Sequence, residues 1–408
     1  MVVEDIDLKN PDIYEAGLPL EAFARLRRED PVHWNPESDG AGFWAVTRHA
    51  DICEVSRQPL LFSSAYENGG HRIFNENEVG LTNAGESGMG IPLISRDPPT
   101  HTQYRKVVMP ALSPVKIEGI EDRIHARAER LIDAIPLGEQ VDLVQALSAP
   151  LPLMTLAELL GVPGDMWTDL YHWTNAFVGE DDPEFRQSPE AMQETLGEFF
   201  GFITELYKQR VAEPGGDIAT LLAHAEIDGE RVPFAEFAAN MVLALVGGNE
   251  TTRNSISHSV RAFSDNPGEW DKLRNNRELL KSAPSEMVRY ASPVLHMRRT
   301  ATENTEVAGR RIAKGDKVVM WYLSGNRDDT VYDDPDRFDI ERAPRNHVGF
   351  GSGQHVCVGS RLAEMQLRVA FGMLADRVSH FELVSEPRRF RSNFINGLKN
   401  LDVILHPA

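Results

Sequence analysis

The chain has 408 residues and a formal net charge of −20, with 41% hydrophobic residues. So acidic a field argues against binding nucleic acid or an anionic membrane through bulk charge, while the apolar fraction allows a sizeable core. The two cysteines, Cys53 and Cys357, are too far apart in sequence to suggest a disulfide framework, and no window approaches the ~20 apolar residues of a membrane span.

The acidic stretch Met1 to Asn10 lacks an export signal, so the chain reads as cytoplasmic. Residues 21–30 predict a short helix ending before Pro31, and 32–34 with 42–46 predict a hairpin. Residues 66–95 are interrupted by Gly69, Gly70, Gly80, Gly85, Gly88 and Gly90 and hold no period, as in a binding loop or lid. From about 100 to 285 the pattern is mostly helical. Its longest run, Pro233 to Asn266, is closed by Pro267 and spans roughly 50 Å at about 1.5 Å per residue. Strand signals return near 294–299, 305–312, 317–321 and 380–405. With no repeat or Gly/Ser linker, residues 1–408 read as one domain, mainly α with a smaller β region.

Cys357 sits in Phe350-Gly351-Ser352-Gly353-Gln354-His355-Val356-Cys357-Val358-Gly359, just before an amphipathic helical pattern through Leu362, Met365 and Val369. Free N–H groups and the helix dipole at that position are expected to lower a thiol pKa. Such a sulfur can be a nucleophile, a metal ligand or a structural cysteine. No local base signature accompanies it, and no ligands at zinc spacing. A lone thiolate on a metal suits haem iron, where the porphyrin supplies the other four ligands.

The pattern Phe350-x-x-Gly353-x-x-x-Cys357-x-Gly359 resembles the haem-thiolate loop of the cytochromes P450, and further motifs follow in that family's order across nearly the whole chain. The resemblance implies haem b with Cys357 as axial ligand, Phe350 and Gly351 in the loop, and dioxygen as co-substrate. It implies a P450 fold, with a long central helix over the haem. Within that helix, Gly247-Gly248-Asn249-Glu250-Thr251-Thr252 resembles the motif that opens the helix into an oxygen-binding groove, with Glu250 and Thr251 as the acid–alcohol pair that delivers protons. Read alone, the glycine pair is a place where another helix packs closely. Glu286-x-x-Arg289 alone reads as a solvated ion pair worth under ~1 kcal/mol. In the family it is a buried pair joined by an arginine, here Arg342, with Arg337 the competitor. His101 and Arg105, four apart on one helix face, together with Arg299 and His355, resemble the cations on the haem propionates; Arg298 competes with Arg299.

For the substrate pocket the candidates are apolar: Val242, Leu245 and Val246, with Gly247, on the long helix; Val294 and Leu295 after Pro293; and Phe394 and Ile395. Val246-Gly247-Gly248-Asn249-Glu250-Thr251-Thr252-Arg253-Asn254-Ser255 and Leu295-His296-Met297-Arg298-Arg299-Thr300 resemble a bacterial branch of the family acting on terpenoids, alkyl chains and steroids. The expected substrate is an acyclic monoterpene alcohol hydroxylated at a terminal allylic methyl, its hydroxyl held by a polar side chain from 66–95 or 173–177. The resemblance also implies electrons from a ferredoxin and an NADH-linked reductase. The ferredoxin would meet a local basic patch from Arg105, Lys106, Arg345 and Arg361, and the enzyme is expected to be a monomer. Two rivals remain: a peroxide-driven or reductase-type P450, and a non-catalytic haem sensor or carrier.

Overall fold

A computed structural model describes residues 6–38, 40–74, 90–343 and 346–408. Half of the expected 66–95 lid (residues 75–89), and Arg345 of the expected basic patch, lie outside the described residues.

The architecture is mainly α with smaller sheets. Helix Phe234–Asp265 runs through the middle, about 48 Å at 1.5 Å per residue. Pro233 precedes it in extended conformation, and Pro267 opens the next helix, so ring geometry and missing N–H groups set both ends. Phe237, Met241 and Leu245 bury one stripe, and from Thr252 to Val260 every residue is buried. A helix enclosed on all sides is a central one. Around it pack helices Pro150–Leu160, Trp167–Val178 and Ala283–Ala291. Helix Ser360–Arg377 completes that core, with Phe263, Trp270 and Phe371 in mutual ring contact.

The larger sheet orders its strands as Val32–Asn35, Phe43–Val46, Lys317–Trp321, His296–Ala301 and Phe62–Ser63. Only the Phe43–Val46 and Lys317–Trp321 neighbours run parallel; the other pairs are antiparallel. Its register sets Arg299 opposite Val318 and Arg298 opposite Val319, so the two arginines leave opposite faces of one strand. A second sheet joins Val378–Leu383, Asp402–Pro407 and Gln140–Asp142. Among the described residues no helix is long and apolar enough to cross a membrane.

Candidate active site

The loop before helix Ser360–Arg377 is a chain of tight turns. Gly351 and Gly353 take φ of +72° and +67°. A Cβ on Gly353 would also overlap the Ser56 carbonyl, so only glycine fits there. Cys357 N donates to Phe350 O at 2.8 Å, closing the loop. The residue is exposed, yet its thiol pKa is pushed up by burial; the backbone N–H groups of Gly359 and Ser360, and Arg105, act the other way. The expected net lowering is therefore corrected: helix-end donors do face the sulfur, but desolvation outweighs them in the chain alone.

Four bases converge near this loop. The rings of His101 and His355 lie 4.0 Å apart, and Arg105 Nη1 donates to Val356 O at 2.7 Å, next to the cysteine. Burial, then Arg105 and Arg299, lower His101 to about 4. Burial, then Arg299, His101, Arg105 and His71, lower His355 to about 2. Arg299 is itself lowered by burial, with Tyr322 and Asp97 opposing. His101 Nδ1 is buried with no hydrogen-bond partner among the described residues, while His355 Nε2 meets Ser64 Oγ at 3.1 Å. Mutually repelling, desolvated bases with an orphaned imidazole nitrogen need an anion, and the two carboxylates of a haem beside a cysteine sulfur supply one. The donor set fits the group. The strand neighbour Arg298 instead adjoins residues 68–71: its N donates to His71 O at 2.7 Å.

On the long helix the motif lies within the helical span at residues 247–252. The open face comes from a missing side chain: a Cβ on Gly247 would meet nothing within 4 Å, whereas one on Gly248 would stand 3.0 Å from Leu156 Cδ1. Thus Gly247 borders free space and Gly248 seats helix Pro150–Leu160. Thr251 lies one turn beyond Gly247, and its hydroxyl donates to Gly247 O at 2.7 Å. Glu250 is not beside that hydroxyl. Its carboxylate, 1% exposed, accepts from Arg253 Nη2 at 2.5 Å and Asn249 Nδ2 at 3.0 Å. Arg253 Nη1 then donates to Asn175 Oδ1 at 3.2 Å, and the guanidinium lies over Tyr171. Burial raises the Glu250 pKa despite Arg253. Arg253 is absent from the sequence-based site, which held Asn175 only as part of 173–177; the i, i+3 spacing of Glu250 and Arg253 is the signal that would find the arginine.

Glu286 takes Arg289 in a bidentate bond at 2.6 and 2.8 Å, and Arg342 Nε at 3.2 Å. Arg342 also donates to the carbonyls of Asp333, Asp334 and Arg337. Arg289 reaches Asn326 O, and Asn326 Oδ1 accepts from Val348 N just before the Cys loop. Arg337 is half exposed, 3.9 Å from Glu269 and Asp339, and it is Arg342 that meets Glu286.

Among the pocket candidates, Val242, Val246, Val294 and Phe394 are half-buried and Gly247 is exposed. Leu295, at 0% exposure, touches no water-sized space and is core beside Trp321; Leu245 and Ile395 are likewise buried. Leu243, one turn before Gly247 on the same face, is half-buried and missing from the sequence-based set. Within 173–177 the polar side chains are only partly engaged. Trp173 packs on Phe199 and Phe202, Thr174 donates to Leu170 O, and Asn175 is taken by Arg253.

Comparison with known proteins agrees with this geometry. The family model described as Cytochrome P450 matches residues 153–399. A linalool 8-monooxygenase of Pseudomonas putida is 69% identical over 405 residues, covering 99% of this chain and 100% of that protein. A steroid C26-monooxygenase of Mycolicibacterium smegmatis is 36% identical, covering 98% and 94%. Among solved structures, a Mycobacterium marinum cytochrome P450 in complex with pseudoionone has a TM-score of 0.89 at 34% identity, covering 98% of both chains. Cytochrome P450-153 from Novosphingobium aromaticivorans has a TM-score of 0.88 at 33% identity, covering 100% of both. By family model, full-length identity and fold, the chain belongs to the cytochrome P450 family, as a monooxygenase that uses haem iron and dioxygen.

Proposed function

We propose that the chain hydroxylates linalool, or a closely related acyclic monoterpene alcohol, at its terminal allylic methyl carbon. The carrying observation is the 69% identity over 99% of the chain with a linalool 8-monooxygenase. Two more distant relatives are named for oxidation at C26 of a steroid and at the omega position of a methyl-branched lipid.

In this reading Cys357 ligates the iron of haem b, and His101, Arg105, Arg299 and His355 take its two carboxylates. Phe350 and Gly351 shape the loop, and Glu286, Arg289 and Arg342 hold the backbone leading into it. When bound, the haem supplies reductive activation of dioxygen and insertion of one oxygen atom into a C–H bond. Thr251 spends its proton on Gly247 O, so its oxygen is left to accept from a water on the open helix face. Glu250, kept from bulk solvent beside Arg253, passes protons toward that water by rotating out of its ion pair. Val242, Val246, Val294 and Phe394 exclude water and hold the substrate's apolar end. Electrons come from a ferredoxin and an NADH-linked reductase, docking where Arg105, Lys106 and Arg361 form a basic patch on an otherwise acidic monomer.

The test combines purified protein, ferredoxin, reductase and NADH with linalool, and identifies the product by mass spectrometry. The 8-hydroxylated alcohol is expected, with low-micromolar binding. If alkane or steroid ligands bind better and are the compounds oxidised, the substrate assignment is overturned. The absorbance of the reduced, CO-treated protein tests thiolate ligation: Cys357→Ser should lose the thiolate signature.

A further inference from the structure

Segment 69–74 is held firmly against the strand His296–Ala301. Gly69 closes the turn Tyr66–Asn68 at φ +95°, where any Cβ would enter the Arg298 guanidinium. One step on, His71 O accepts from Arg298 N at 2.7 Å. The backbone of His71 is therefore anchored on both sides.

Its imidazole is anchored at one nitrogen only. His71 Nδ1 lies 2.8 Å from Ser95 Oγ, while Nε2 has no hydrogen-bond partner among the described residues. The ring meets Phe394, the half-buried aromatic of the candidate pocket, at a centroid distance of 6.3 Å and 62° between planes. Two other polar side chains on the Phe394 ring are already paired. His296 uses both nitrogens, meeting Asn393 O at 2.9 Å and Ile73 N at 3.3 Å. Arg72, lying over the same ring, is paired with Glu180. Burial, Arg72, Arg299, His296 and Arg298 lower His71 to about 3, so it is a neutral hydrogen-bonding group at working pH.

We propose that His71 is the specificity-determining residue that hydrogen-bonds the substrate's hydroxyl through Nε2, while Ser95 orients the ring. This rests on the alcohol substrate proposed above. A fixed imidazole beside an apolar wall discriminates an alcohol from its hydrocarbon analogue because the hydrocarbon leaves the nitrogen buried and unpaired. Through its ring contact with Phe394, His71 borders the apolar wall that holds the chain.

The test is calorimetric binding to the haem-loaded protein of the proposed alcohol and of the acyclic hydrocarbon that lacks its hydroxyl. His71→Asn keeps an amide near Nδ1 for Ser95 but removes Nε2; His71→Gln reaches the Nε2 position. His71→Asn should weaken alcohol binding about tenfold or more and leave hydrocarbon binding unchanged, and His71→Gln should recover most of the loss. Equal weakening of both ligands by His71→Asn, or a wild-type preference that survives it, overturns the role of His71. Loss of bound haem in His71→Asn overturns it too, by assigning the residue to the cofactor. If the wild-type protein shows no preference for the alcohol at all, the alcohol-substrate reading falls first, and the two failures are told apart.

Discussion

Gly247 and Gly248 are neighbours on one helix, yet alanine at the two positions should act in opposite directions. Alanine in a helix interior is favoured over glycine by about 0.8–1.0 kcal/mol. At Gly247 the new Cβ meets nothing within 4 Å, so the full gain should appear as stability. At Gly248 it stands 3.0 and 3.2 Å from the two methyl carbons of Leu156, a buried side chain on the packed helix. Overpacking costs about 1–3 kcal/mol, so the net change should lie between about zero and a loss of 2 kcal/mol. Ligand affinity should move differently. The Gly247→Ala methyl enters the open side and should weaken substrate binding about tenfold, by the ~1–3 kcal/mol that one misplaced methyl costs in an apolar pocket. Guanidinium unfolding at matched haem content, with calorimetric titration of the substrate, reads both effects. Adding Leu156→Ala to Gly248→Ala should cost less than the sum of the two single changes, because the methyl occupies space the leucine vacates. The reasoning is refuted if Gly248→Ala stabilises as much as Gly247→Ala, or if Gly247→Ala binds substrate normally.

Replacing Glu286 by Gln leaves the buried Arg289 and Arg342 guanidiniums without their carboxylate and should cost about 3–5 kcal/mol in urea unfolding; a loss below 1 kcal/mol would show the pair is not essential. Thr251→Ala should keep substrate binding but divert NADH into peroxide, and unchanged coupling of NADH to product would exclude its role in holding water. His296 donates from Nδ1 to Asn393 O, accepts at Nε2 from Ile73 N, and is lowered to about 3, chiefly by burial. The unfolded chain therefore takes up that proton first: the stabilisation is complete above about pH 6.5 and is lost as pH falls toward 3, by about 1.4 kcal/mol per pH unit. His296→Gln should flatten the acid limb of stability against pH by that slope, and an unaltered slope would refute the assignment.

Much of the site was legible locally. Pro233 and Pro267 bracket the long helix in the chain as they do in space, and the turn-forming glycines around Cys357 announce a loop before a helix. Periodicity and backbone restriction depend on near neighbours, so the sequence alone determines them. Partner choice does not. Arg298 and Arg299 are equivalent in sequence, and the register of the strand sends only Arg299 toward His101 and His355. Arg342 rather than Arg337 meets Glu286 because the turns between residues 333 and 342 present carbonyls that hold its guanidinium. Glu250 and Thr251 are adjacent in the motif, yet a helix turns successive side chains about 100° apart, so one enters the core against Arg253 and the other faces the open side. Leu295 looks like its neighbour Val294, but only burial by distant segments makes it core. Direction along an element is a local property; what a side chain meets, and whether its charge is desolvated there, depends on segments tens to hundreds of residues away, and only the tertiary structure decides it.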